Sequence, residues 1–263
     1  MTETAQRQFW DAQAVDYQRL AGIRTDDFHY GPLLPGEREL KRFADKAPPG
    51  KALELGCGGA QNSLWLAAHG WQCTAIDVSA AQLAHAAALS RRLKLKLERI
   101  HLALEHLTPD VLDGPFNLIH SVHALQFLRD PFRLLRKVAR CLAPGGRLVL
   151  AVQHPLFAGE WLELAAEGFG LFLPHYFRPP PDVRSAPEGT QIASRSWPVS
   201  RWFTEIQSLS LTIEALLEPA ALPESRLHEA PYPGGDAWRA LYPQLRRIPS
   251  TLIVIATKPL HAA

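Results

Sequence analysis

From Lys51 onward, short apolar runs alternate with stretches whose apolar positions recur every three or four residues. Strands buried on both faces read as continuous apolar runs, so this texture predicts a parallel sheet covered by helices on both sides. KALEL is the first strand, and Gly56-Cys57-Gly58-Gly59 turns into a helix over AQNSLWLAAH that stops at Gly70. A second strand, CTAID, ends at Asp77, and Ser79 with Gln82 reads as a capping box that opens a helix through Leu89. A third strand is expected near Leu95 to Leu102 and a fourth over Phe116 to Ser121. Asp130 and Pro131 suit the cap and first turn of the helix FRLLRKVARCL, which Pro144-Gly145-Gly146 ends before a fifth strand, RLVLAV. The helix VSRWFTEIQSL, a strand near Leu211 to Leu217 and the β-rich TLIVIATK complete the core.

Two segments depart from this alternation. Residues 1–50 hold short helical patterns over Phe9 to Leu20 and Glu37 to Phe43, separated by FHYGPLLPGE and closed by Ala47-Pro48-Pro49-Gly50. Phe9, Trp10, Tyr17, His29 and Tyr30 gather aromatic surface in a segment too short to bury it alone, so a lid is expected over the core of residues 51–263. Residues 154–198 interrupt the core with aromatics and the run Pro179-Pro180-Pro181, and a loop of that length with that content is expected to serve the substrate side.

Composition narrows the classes. The 263 residues are 47% apolar and 21% charged, with a net charge of +2, which is a globular composition without a bulk electrostatic signature for nucleic acid or acidic membrane. No apolar stretch approaches the ~20 residues of a membrane span, and MTETAQRQFWDAQAVDYQRL lacks a basic segment followed by an apolar one, so the cytoplasm is expected. Cys57, Cys73 and Cys141 are an odd number without CxxC spacing, which suits buried thiols in a reducing compartment.

Gly56 and Gly58 follow a strand and open a helix, where free backbone amides are accessible and the missing Cβ lets a ligand approach. Glu54 precedes the first glycine, and Asp77 stands at the end of the next strand. A carboxylate at that place can accept hydrogen bonds from both hydroxyls of a ribose, which points to a nucleoside cofactor. The sixth position of a dinucleotide fingerprint is Gln61 rather than glycine, and neither a Tyr-x-x-x-Lys pair nor a phosphate-binding G-x-x-x-x-G-K-[ST] motif is present. His120 and His123 are three apart at a strand end and point to opposite faces, and H-E-x-x-H is absent, so no metal is expected.

Taken in order, LELGCGGAQNS, AIDVS, FNLIHSVHALQFL and CLAPGGRLVL resemble the class I S-adenosylmethionine-dependent methyltransferases over residues 51–153. The HYGP segment before the core and the His154-Pro155 pair after the fifth strand look like a bacterial group that methylates small molecules. The resemblance implies an α/β, Rossmann-like fold: a seven-stranded, mostly parallel sheet with its last strand reversed. It also implies S-adenosylmethionine along the carboxyl ends of the first strands and substrate beneath the lid and the insertion. On that resemblance Gly56, Cys57 and Gly58 form the loop around the methionine moiety, and Asp77 is the ribose-binding acid. The backbone carbonyl of Ser121 faces the methionine amino group. Glu54, Val78 and Leu104 complete the expected cofactor set, and Tyr17, His29 and Tyr30 the substrate and lid set. After the third strand the family usually carries an aspartate for the adenine amino group. Ala103 stands there, followed by Leu104, which leaves adenine to backbone groups and apolar contact.

The expected reaction moves a methyl group from S-adenosylmethionine to an oxygen or nitrogen of a small molecule, with carbon left open. Methyltransferases of base amines commonly carry N-P-P-aromatic after the fourth strand, where this chain has His120-Ser121-Val122-His123. Arg91, Arg92, Lys94, Lys96 and Arg99 read as a solvated face, so neither nucleic acid nor membrane is the expected partner. His154, directly after the fifth strand, is the first candidate for a general base, its backbone held extended by Pro155, and His123 is the second. A non-catalytic methyltransferase-like S-adenosylmethionine-binding protein and a nicotinamide-dependent oxidoreductase remain as alternatives. Oligomeric state and the identity of the acceptor are open at this level.

Overall fold

Thr2 begins the first helix, α1 (Glu3–Ala21), by accepting the Ala5 N–H at 3.3 Å, and Gly22 ends it in a left-handed turn. The helix therefore starts nearly two turns ahead of the Phe9 expected from apolar spacing. Glu37 opens α2 (Glu37–Leu40), and its Oε1 then accepts the N–H groups of Arg42, Phe43 and Ala44. Those amides are lost to a helical ladder, which is why the helix expected to run to Phe43 stops at Leu40.

The computed structural model describes residues 2–46, 48–164, 168–186 and 188–260, without the side chains of residues 164 and 169. Ala47 of the first linker and residues 165–167 and 187 of the insertion lie outside the described residues. The core then runs β1 (Lys51–Leu55), α3 (Gln61–Ala68), β2 (Gln72–Asp77), α4 (Ala80–Leu93), β3 (Glu98–His101), β4 (Phe116–Val122), α5 (Pro131–Val138) and β5 (Leu142–Gln153). The insertion holds β6 (Glu160–Leu164), β7 (Gly168–Phe172), β8 (Asp182–Ser185) and β9 (Gln191–Ser194). The chain closes with α6 (Val199–Gln207), β10 (Thr212–Leu217), α7 (Gly235–Ala240), α8 (Tyr242–Leu245) and β11 (Thr251–Thr257).

Seven strands form one sheet in the order β10-β11-β5-β4-β1-β2-β3, with β11 entering antiparallel between β5 and β10. Phe132, Leu135, Trp202 and Ile206 of α5 and α6 cover one face, and Leu64, Trp65, Leu83 and Ala86 of α3 and α4 cover the other. Each fully buried leucine, isoleucine or phenylalanine among them contributes about 1.5–3 kcal/mol. From β1 the chain crosses to β2 on one side, while β4 pairs β1 on the other. The order reverses there, and a crevice opens outside the carboxyl ends of β1 and β4.

Three local expectations are corrected. The Ser79 hydroxyl does accept the Gln82 N–H at 3.1 Å, but the Gln82 side chain turns away to Gln18 instead of completing the box. Pro144-Gly145-Gly146 lies inside β5 rather than before it, where the register against β4 slips between Phe116 and Leu118. The insertion, read as irregular, contains two antiparallel hairpins, β6–β7 and β8–β9. Ile192 of the second hairpin and Ala186 beside it pack on Phe9 of α1, so helix and hairpin together roof the crevice.

Candidate active site

After β1 the chain turns through Gly56 (φ +72°) and Gly58 (φ +51°) into α3. A Cβ at Gly56 would strike the Cβ of Ala124, in the loop after β4, so this turn requires glycine. The amides of Gly56 and Cys57 both donate to the Ile76 carbonyl at 2.9 Å. Next to Ile76, Asp77 accepts the Gly58 N–H on Oδ2 at 2.7 Å and the Ser79 N–H on Oδ1 at 2.9 Å. Burial pushes the Asp77 carboxyl upward, opposed by the hydrogen bonds from Ser79, Gly58 and Val78.

The turn opens on a pocket of about 900 Å³ lined by Glu54, Asp77, Val78, Leu104, Val122 and the glycine loop. Glu54 accepts the Ser63 N–H at 3.2 Å and also the Ser63 hydroxyl, yet burial raises its pKa to about 8, so at neutral pH its carboxyl is protonated. Behind it His120 is fully buried with neither ring nitrogen hydrogen-bonded, Nδ1 lying 3.9 Å from Glu54 Oε1, and burial lowers its pKa to about 3.

Helix α1 roofs the pocket with Gln6, Trp10, Tyr17 and Gln18. An amide relay fastens it: Gln61 Nε2 donates to Gln18 Oε1 at 2.6 Å, and Gln18 Nε2 donates to Gln82 Oε1 at 2.8 Å. Asp11 accepts the Ser79 hydroxyl and the Ala81 N–H, which sets a carboxylate on the N-terminus of α4. Toward the outer side, the hydroxyls of Tyr17 and Tyr232 lie 3.1 Å apart. Trp10, Tyr17, His123, Phe127 and Tyr232 then form a wall shared with a second cavity, of about 550 Å³.

Most of the residues singled out from sequence meet at this pocket: Glu54, Gly56, Cys57, Gly58, Asp77, Val78, Leu104, His123, Tyr17 and His29. Three do not line either cavity. Ser121 is fully buried, its hydroxyl donating to the Leu55 carbonyl at 2.8 Å, which ties β4 to β1. Tyr30 is buried and donates to Glu37, so it braces α2 rather than covering a ligand. His154 accepts the Leu156 N–H on Nδ1 at 3.2 Å and meets Glu218 through Nε2 at 2.7 Å, which makes it a strut beneath the insertion. His123 does face the pocket, at φ +53°, with Nε2 3.0 Å from Thr251 Oγ1. Burial, and after it the Arg184 charge, lowers its pKa to about 4, so it is neutral at pH 7.

Sequence reasoning missed Gln18, Phe127, Arg184 and Tyr232. One signal was available for the first: Gln6 and Gln18 fall on the same buried face of α1 as Phe9 and Ala14, where a solvated glutamine has no place. Among the described residues, no group of three or more His, Cys, Asp or Glu side chains is placed to hold a metal ion. Among those residues, too, no helix is long and apolar enough to cross a membrane.

Residues 53–150, which contain the glycine turn, Asp77 and His123, match the family model of a methyltransferase domain. Within those residues the chain carries a methyltransferase domain. This chain is 37% identical over 120 residues to the trans-aconitate 2-methyltransferase of Deinococcus radiodurans, a match covering 45% of this chain and 43% of that protein. It is 29% identical over 169 residues to the ribosomal RNA small subunit methyltransferase C of Alcanivorax borkumensis, covering 58% and 46%. The chain thus spans under half the length of these curated relatives. A solved S-adenosylmethionine-dependent methyltransferase from Mesorhizobium loti shares its fold, with a TM-score of 0.65 at 23% identity over 82% of this chain and 94% of that one.

Proposed function

We propose that this protein transfers a methyl group from S-adenosylmethionine to an oxygen or nitrogen of a small molecule. One observation carries the reading: a buried carboxylate, Asp77, closes a glycine turn at the reversal point of the sheet, on a pocket that shares a wall with a second, aromatic cavity. The residues fit the cofactor. After accepting the N–H groups of Gly58, Ser79 and Val78, the Asp77 carboxylate keeps acceptor capacity for a ribose hydroxyl. The Gly56 turn leaves its backbone approachable where any Cβ would block it, and Val78 and Leu104 offer adenine an apolar seat.

S-adenosylmethionine, when bound, supplies a methyl group on an electrophilic sulfonium. The protein's part is to hold the acceptor in line and keep water out, and Trp10, Tyr17 and Phe127 crowd the shared wall for that purpose. His123, neutral and only weakly basic, positions rather than abstracts in this reading. A small acceptor is favoured over RNA by the place of the basic run. Helix α4 crosses from the carboxyl end of β2 to the amino end of β3, so Arg91, Arg92 and Lys94 lie at the opposite end of the sheet from the pocket.

The test has two stages. Calorimetry with S-adenosylhomocysteine should show binding where NAD shows none. Incubation with a labelled methyl donor should then place label in the small-molecule fraction of a cell extract and leave ribosomal RNA unlabelled. Label in RNA overturns the acceptor class, and binding without label in either fraction overturns catalysis.

A further inference from the structure

The second cavity has a chemistry of its own, and its role as the acceptor chamber rests on the methyl-transfer reading. Its lining is largely aromatic, with Trp10, Tyr17, Phe127, Phe157, Tyr232 and Trp238, and Gln126, Gln153 and Ser250 add neutral polar groups. Trp10 meets Phe127 edge-on at 5.4 Å, while Phe157 and Trp238 stack at 5.6 Å with their planes 19° apart. Among the described residues lining it, Arg184 of β8 is the only one that carries a formal charge, since His123 is neutral.

Arg184 is held in part and free in part. Its Nε donates to Asp182 Oδ2 at 2.9 Å, and Asp182 is its sole ion-pair partner among the described residues. The terminal nitrogens, which make the fork of the guanidinium, therefore have donors left for a ligand. Burial raises Tyr17 and Tyr232 and lowers His123, and the Arg184 charge reaches all three as a smaller downward contribution. Among the described residues, no acidic side chain lines the cavity to cancel it.

We infer that the acceptor is a planar aromatic molecule bearing an oxyanion, a carboxylate or a phosphate, and that Arg184 selects it by that charge. Aromatic walls accept a ring by offset or edge-on contact, and a guanidinium fork matches two oxygens of an oxyanion. Asp182 stays on the Nε edge and offsets part of the local excess of charge, which suits one negative charge better than two. Arg184 is about half exposed, so the selection is moderate and sensitive to salt. The hairpin that carries Arg184 is also the one that packs on α1, which fixes the charge relative to the aromatic wall.

Calorimetry tests this in two titrations. S-adenosylhomocysteine is titrated first into the wild type, Arg184→Gln and Arg184→Lys. The saturated complexes then receive 2-naphthoate, 2-naphthyl phosphate or the neutral 2-naphthamide. At low ionic strength at least one anion should bind the wild type about tenfold more tightly than the amide. That preference should fall to near unity in Arg184→Gln and survive in part in Arg184→Lys. The better of the two anions identifies the oxyanion. Equal binding of acid and amide, an anion preference that persists in Arg184→Gln, or no binding by any of the three overturns the inference. Failure of the first titration would count against the methyl-donor reading, whereas failure of the second alone counts against this one.

Discussion

Asp77 Oδ2 lies 2.7 Å from the backbone nitrogen of Gly58, so a single carboxylate both closes the glycine turn and faces the pocket. Asp77→Ala removes both contributions. Affinity for S-adenosylhomocysteine should fall roughly ten- to a hundredfold, about 1.5–3 kcal/mol. Asp77→Asn keeps an oxygen able to accept one of the two amides and should lose less. Calorimetry on variants with native circular dichroism checks the ranking, and an unchanged affinity in the alanine variant would remove Asp77 from the site.

Gln18 joins three helices through two side-chain hydrogen bonds, to Gln61 of α3 and Gln82 of α4. Gln18→Ala leaves both partners buried and unpaired, at a cost of about 1–3 kcal/mol. Hydrogen exchange over residues 3–21 should quicken in the variant, and in the wild type it should slow when S-adenosylhomocysteine is added. Exchange that responds to neither change would make α1 plain scaffold and end the lid proposal.

The histidines at the two strand ends should separate in kinetics. His154→Ala is expected to keep turnover within about threefold while losing roughly 1–2 kcal/mol of stability, because the ring caps a turn and meets Glu218. His123→Asn, chosen because asparagine tolerates a positive φ, should slow turnover by less than about tenfold. A general base would contribute about 10²–10⁴-fold. A hundredfold loss at saturating acceptor in the His123 variant would therefore restore it as the base.

Stability should depend on pH in a direction set by buried histidines. Burial lowers His29 and His120 to about 3 and His123 to about 4, from 6.5. As pH falls below 6.5 the unfolded chain takes up three protons that the native state refuses, so stability is full above that pH and drains as it approaches 4. Glu54 acts in the opposite sense, because burial raises it from 4.5 to about 8, and its contribution is lost as pH rises through that interval. Between pH 5 and 6 the balance is about two protons, or roughly 2–3 kcal/mol per pH unit, with the maximum near neutrality. Urea midpoints from pH 5 to 8 measure the slope, and His120→Leu should flatten its acid side by one proton. A profile level from pH 5 to 7 would contradict the burial of these rings.

The strands were legible because burial on both faces writes them as unbroken apolar runs, as in Ile253, Val254 and Ile255 of β11. The glycine turn and Asp77 were legible for a related reason: one strand-turn-helix-strand unit holds all of them, and local geometry alone brings them together. The amide relay was not, since Gln18, Gln61 and Gln82 come from three helices and a glutamine on a helix ordinarily reads as solvated. The Ser79 and Gln82 pattern matched a capping box, yet tertiary packing gave Gln82 a different partner in Gln18. Arg184 and Tyr232 reach the site only because a hairpin and the segment after β10 dock on α1. His154 was placed correctly after the fifth strand, but nothing local revealed that Glu218, from the end of β10, would occupy its ring.

Because Trp10, Tyr17, His123, Phe127 and Tyr232 belong to both cavities at once, one set of residues bounds both chambers. Whatever occupies one chamber sets the rotamers of the other, and the coupling is reciprocal by thermodynamic necessity. Libraries screened against the empty protein thus sample a chamber of the wrong shape. Tight acceptors should emerge only when the adjoining chamber is filled, and an inhibitor that bridges the two would draw on both free energies in one molecule.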